Sequence, residues 1–175
     1  MTHVTDLKRT SLAIGILCGA WLAASSVAMA DSINIAAPAF VLRTASGSSD
    51  LVGEGGAGLL QNATGKYYAA VEFPDAGVNV CRFSMVYRDL DTTFNITAKL
   101  LKKTYVVGGS AFTAPVAMAT LNSANAVDAV RRATTAVIVQ PLVSTTRTFY
   151  YVELTVPFSA LQVVGVEIVY NPTCP

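Results

Sequence analysis

The chain has 175 residues, of which 53% are hydrophobic and only 13% charged, with a formal net charge of +1. So even a balance argues against a partner held by overall charge, such as DNA or an acidic membrane. The single histidine, His3, and the single tryptophan, Trp21, both fall in the first 30 residues, so the remainder has no imidazole. That excludes Ser-His-Asp and Cys-His nucleophile systems, histidine zinc sites and histidine general bases, while leaving carboxylate chemistry open.

In chain order, the first element is a leader. Lys8 and Arg9 precede an apolar run from Leu12 to Ala24, and Ala28-Met29-Ala30 then places small residues at −3 and −1 of a cut before Asp31. A basic start, a short apolar middle and an A-x-A end are the parts of a secretory signal peptide, here residues 1–30. The run is shorter than the ~20 residues of a membrane span. Removing Lys8 and Arg9 from the 12 basic residues and Asp6 from the 11 acidic ones leaves ten of each on the mature chain. The expected product is one exported domain, residues 31–175, periplasmic or extracellular, with no membrane span.

Residues 31–65 read as an N-terminal extension with weak strands, including a Gly/Ser-rich loop. A phosphate-binding loop is excluded there: before Gly65-Lys66, Leu60 replaces the first glycine, and Tyr67 follows where Ser or Thr belongs. From residue 66 to 175 the pattern has period two, the mark of strands with one buried and one wet face. "KYYAAVEF" groups Tyr67, Ala69, Val71 and Phe73, and Pro74–Gly77 ends it. "VNVCRFSMVYR" groups Cys81, Phe83, Met85 and Tyr87 opposite Arg82, Ser84 and Arg88. Phe94, Ile96, Ala98 and Leu100 then alternate with Asn95, Thr97 and Lys99, so the two runs read as a hairpin.

"PVAMATL" is a further strand. "NSANAVDAVRRA" reads as a short helical turn, with Asp128 and Arg132 spaced for an i,i+4 pair, and Ala136–Val139 as an apolar strand. "FYYVELTV" groups Tyr150, Val152, Leu154 and Val156 opposite Tyr151, Glu153 and Thr155. "FSALQ" offers another short helical turn. "VVGVEIVY" groups Val164, Val166, Ile168 and Tyr170 opposite Glu167. Short strands separated by turns predict an all-β, two-sheet antiparallel sandwich of about eight strands.

Cys81 and Cys174 are the two cysteines outside the leader, and in an oxidising compartment they are expected to pair. Asp89 and Asp91 lie one residue apart, as in a calcium loop. Thr93 and Phe94 stand where that loop needs an acid or amide and a glycine, which excludes an EF-hand. A weaker calcium site assembled with Asp75 and Asp128 competes with a plain turn, which Asp and Thr favour. No cofactor is expected. Tyr68, Glu72, Tyr151, Glu153 and Glu167 fall on polar strand faces and are the candidate ligand-facing residues. They suit a glycan for binding or, if two acids sit about 5–9 Å apart, for cleavage. With little charge guarding the strand edges, self-association is the other expected interaction.

"FPDAGVNVCRFSMVYRDLDTTFNITAKLLKK" (Phe73–Lys103) and "FYYVELTVPFSALQVVGVEIVY" (Phe149–Tyr170) together resemble a broad group of uncharacterised exported bacterial proteins. The resemblance lies in a hydrophobic-Pro-x-x-Gly turn before a strand, an Asp-bearing turn, and a Gly-Val-x-Ile-x-Tyr ending. It implies a jelly-roll-like sandwich and no activity. The combined expectation is an exported, non-catalytic envelope or extracellular module, structural or binding a surface or glycan. A small carboxylate-dependent glycan hydrolase is the alternative.

Overall fold

The computed structural model describes residues 30–42, 51–52, 59–60, 65–108, 112–124, 127–157 and 161–174. Apart from Ala30, the expected leader lies outside the described residues, as do most of the Gly/Ser-rich loop and Phe158–Ala160 of the second expected helical turn. The strands are β1 (Asp31–Ala36), β2 (Val41–Leu42), β3 (Leu51–Val52), β4 (Leu59–Leu60), β5 (Gly65–Val71), β6 (Asn79–Asp89), β7 (Thr97–Thr104), β8 (Val116–Asn122), β9 (Val127–Thr135), β10 (Thr148–Val156) and β11 (Leu161–Asn171). A single 3-10 turn, Ala37–Ala39, separates β1 from β2.

All pairings are antiparallel. One sheet runs β3-β4-β11-β6-β9, with β1 also on β11; the other runs β2-β5-β10-β7-β8. Eight of these strands have six residues or more, four in each sheet. Their order, β1-β11-β6-β9 against β5-β10-β7-β8, is that of a jelly roll built from two Greek keys. β1 pairs over its whole length with β11, so the start of the N-terminal extension belongs to the sandwich itself.

The alternation places the core where the pattern predicts. Tyr67, Ala69, Val71 and Phe73 are buried, as are Tyr150, Val152, Leu154 and Val156, and they meet Phe83, Met85 and Ile168 from the other sheet. Phe73 sits edge-on to Tyr150 and Tyr170, with ring centroids 5.1 and 5.6 Å apart. Such pairs add about 0.5–1.5 kcal/mol to the area they bury.

Several expectations need correction. The runs around Asp89 do not form a hairpin: β6 and β7 lie in different sheets, and the turn is an arch over the end of the core. Phe94, in that arch, is exposed instead of buried. Two β-bulges shift the phase of their strands. Val80, not Cys81, faces the core, and Val163 takes the inward position expected of Val164. A bulge adds one unpaired residue and so flips every side chain beyond it.

The expected helical turn at residues 122–133 is largely strand β9. Asp128 there pairs with Arg88, and Arg132 with Glu167, so cross-strand partners replace the i,i+4 pair. The apolar stretch Ala136–Val139 lies outside any strand, with Val137 and Val139 exposed. No helix among the described residues is long and apolar enough to cross a membrane.

Candidate functional site

The aspartates of the arch act as turn builders. Asp91 Oδ1 accepts the backbone N–H of Thr93 at 2.7 Å and of Phe94 at 2.8 Å. Asp89, only 1% exposed, accepts the Asp91 N–H at 2.9 Å on one oxygen and the Ser123 hydroxyl at 2.5 Å on the other. Ser123 Oγ in turn accepts the Ile96 N–H at 2.8 Å, which ties the arch to the turn after β8. Asp128 is held by Arg88. Asp75 lies before the far end of β6, roughly 30 Å of strand away. Burial raises the pKa of Tyr170, and the carboxylates of Asp31 and Asp75 add to the rise. Among the described residues no three Asp, Glu, Cys or His side chains come together as a metal site would need.

Cys81 and Cys174 meet, with sulfurs 2.10 Å and Cα atoms 5.2 Å apart. The link fastens the C-terminal tail to the bulge of β6 on the outer surface of the six-stranded sheet.

The candidate ligand-facing residues separate onto two surfaces. Glu167 lies on the outer face of the six-stranded sheet, answered by Arg132 at 3.1 Å and Arg82 at 3.6 Å. A cleft of about 430 Å³ beside it is lined by Ser32, Cys81, Arg82 and Val169. Tyr68, Glu153 and Tyr151 lie together on the outer face of the five-stranded sheet. The Tyr68 hydroxyl donates to Glu153 Oε2 at 2.8 Å, Lys66 Nζ stands 3.6 Å from Oε1, and the two tyrosine rings are 6.0 Å apart.

Glu72, just past β5, faces a cavity of about 330 Å³ with Thr145, Thr148 and Phe149. Glu153 pairs across strands with Tyr68, and Glu72 lies four residues further along, about 13 Å. The structure therefore brings together Tyr68, Tyr151 and Glu153, sets Glu72 at one end of the same sheet, and leaves Glu167 on the opposite side of a core about 10 Å thick.

Sequence reasoning passed over the aromatic end of this sheet. Phe149 is 55% exposed and Phe112 56%. Phe149 lies 5.8 Å from the ring of Tyr105 and 6.4 Å from that of Phe112, and Lys103 Nζ sits 4.6 Å above Phe112. The signal was present. Phe149 shares the parity of Tyr151 and Glu153, so the alternation that put those residues outward puts Phe149 outward too.

Compared with known protein families, with curated proteins and with solved structures, the chain matches none.

Proposed function

We propose that the protein is an exported, non-catalytic module that binds a glycan on the outer face of its five-stranded sheet. One observation carries this reading. Along β10, Phe149, Tyr151 and Glu153 point outward in sequence, with Tyr68 beside Glu153 and a cavity containing Glu72, Thr145 and Thr148 at the Phe149 end. Aromatic faces for sugar C–H surfaces, together with a few fixed carboxylate and hydroxyl groups for sugar hydroxyls, are the chemistry of a carbohydrate site. These residues sit on or next to paired strands, so little order is lost on binding.

A hydrolase would need two acids flanking one glycosidic bond. Glu153 and Glu167 point away from each other on opposite sheets. Along the strands Glu72 stands about 13 Å from Glu153, against the roughly 5–9.5 Å between glycosidase carboxyl groups, and Glu153 already accepts from Tyr68 and pairs with Lys66 at 3.6 Å. A glycan array, followed by calorimetry on the best ligand, tests the binding reading. The expected result is saturable binding that weakens at least tenfold in Tyr151→Ala and Glu72→Ala, with no hydrolysis of the ligand. Turnover lost in one folded Glu variant would replace this reading with the hydrolase.

Self-association is a second reading, favoured by the edge of β8, which pairs with no further strand among the described residues. That seven-residue strand carries neither charge nor proline, and on its open side the turn residue Val139 donates to the Met118 carbonyl at 2.7 Å. A monomeric mass by light scattering across a concentration series would end it.

A further inference from the structure

β7 and β8 are consecutive strands paired within one sheet, and their connection is unusually apolar. The stem is well fixed: Tyr105 bridges to Phe112, Thr113 N–H bonds to the Thr104 carbonyl at 2.9 Å, and the Thr113 hydroxyl accepts the Thr104 N–H at 3.1 Å. Beyond that stem Val106 is 55% and Val107 61% exposed, before Gly108 turns the chain at φ +78°. Exposed β-branched residues in a turn, where polar residues are the rule, mark a surface meant to be covered.

The charged residues of β7 and of the loop before β10 are all basic. Lys102 and Lys103 lie just behind this tip on β7, and Arg147 lies beside it, its carbonyl accepting the Tyr105 N–H at 3.0 Å. None of the three belongs to an ion pair among the described residues. Two acids lie toward this end of the sheet, Glu72 in the cavity next to Phe149 and Asp75 three residues on, so the three cations outnumber them on a chain that is balanced overall. Arg147 also has φ 60°, a left-handed conformation that glycine adopts at lower cost. A side chain kept at a position where the backbone prefers none points to a use for the guanidinium.

We propose that this end of the sandwich docks on an anionic lipid bilayer. Val106 and Val107 enter the boundary between headgroups and acyl chains, the rings of Tyr105, Phe112 and Phe149 lie at the interface, and Lys102, Lys103 and Arg147 meet the headgroup phosphates. The dimensions agree. Three to four residues separate Lys103 from the valines, at most about 10–13 Å of chain, and an interfacial segment buries its apolar side about 5–10 Å deep. The cations then stop at headgroup level, where each adds about fivefold to binding. The site lies at the end of the sheet and does not depend on the glycan reading.

The test is co-sedimentation of the protein, purified as the cell exports it, with vesicles of phosphatidylcholine containing about a third phosphatidylglycerol. Wild type is expected to bind, more weakly to pure phosphatidylcholine and more weakly in high salt. The double variant Val106→Asp/Val107→Asp is expected to lose more than tenfold in binding with an unchanged melting temperature. Arg147→Gly is expected to bind several-fold more weakly while melting no lower than wild type, a combination that a merely structural arginine would not give. Equal binding by wild type and the double variant, or no binding by wild type, overturns the proposal. So does a dimer in light scattering that the double variant abolishes, since the tip would then serve a second copy of the chain.

Discussion

Replacing Asp89 by alanine tests whether the Asp-rich arch is architecture. The carboxylate is almost wholly buried and accepts two hydrogen bonds, from the Ser123 hydroxyl and the Asp91 N–H. A hydrogen bond to a carboxylate contributes about 1.5–3 kcal/mol, and a buried donor left without a partner costs about 1–3 kcal/mol. Removal also releases the cost of burying the carboxylate itself, so the two losses do not simply add. The expected net loss is about 2–4 kcal/mol, a large part of the 5–15 kcal/mol that holds a domain together. For a domain of this size that lowers the melting temperature by roughly 5–15 °C.

The carboxamide of Asp89→Asn keeps the acceptor for Asp91 but offers Ser123 a donor in place of an acceptor. It should cost about half as much. Urea unfolding of both variants and of Ser123→Ala, run as a double-mutant cycle, isolates the buried pair, with a coupling of about 1–2 kcal/mol expected. A loss below about 0.5 kcal/mol in Asp89→Ala would refute the account. A calcium-induced rise in wild-type melting temperature that vanishes in Asp89→Asn would refute it as well, because the carboxylate would then be serving an ion.

Reducing the Cys81–Cys174 link, or replacing both residues by serine, should lower stability by up to about 4–5 kcal/mol in the chain-entropy limit. Calorimetry with and without reductant reads this. Gly165→Ala should cost more than about 2 kcal/mol. A Cβ there would lie 2.6 Å from the Ile35 carbonyl oxygen, so β1 must lift from β11, and amide exchange in Asp31–Ala36 should accelerate selectively. Tyr67→Phe should be neutral or stabilising by up to about 1 kcal/mol, because the buried Tyr67 hydroxyl has no hydrogen-bond partner among the described residues. Burial raises the Tyr67 pKa above its ordinary 10.0, so its contribution is fully present below pH 10 and is lost as pH rises through the folded-state value. The variant should therefore lose less stability than wild type in unfolding at pH 10–11.

Period-two alternation was enough to identify the core faces of β5 and β10, because neither strand contains a bulge and both bury one side only. It failed where the ladder is irregular. Nothing in "VNVCRFSMVYR" marks an extra residue at Cys81, and the bulge there is set by how β6 meets β11 across the sheet. The hairpin expected around Asp89 failed for a related reason. A polar turn between two alternating runs has the same sequence signature whether the strands pair or arch over the core. The difference lies in whether the inward side chains meet side by side or face to face. β9 was misread because its alanines and paired arginines score well as helix, while most of its side chains are exposed and give no period to read.

The same contrast explains why the candidate site was only half legible. Tyr68, Tyr151 and Glu153 share an outward parity that the sequence reveals, but parity does not say which sheet a strand joins. Glu167 has the same parity and lands on the other side of the molecule. Sheet membership follows from the crossings between sheets, and those depend on contacts remote in sequence, such as β1 closing on β11 at Gly165 and Asp89 reaching Ser123. Residues that must act together on a ligand are thus chosen by the same arches that a local reading takes for hairpins. In a jelly roll, a glutamate's neighbours in space are fixed by turns far from it. The stability of the Asp89 arch is therefore also a condition for the alignment of β7 beside β10, and with it for the face that carries Tyr151 and Glu153.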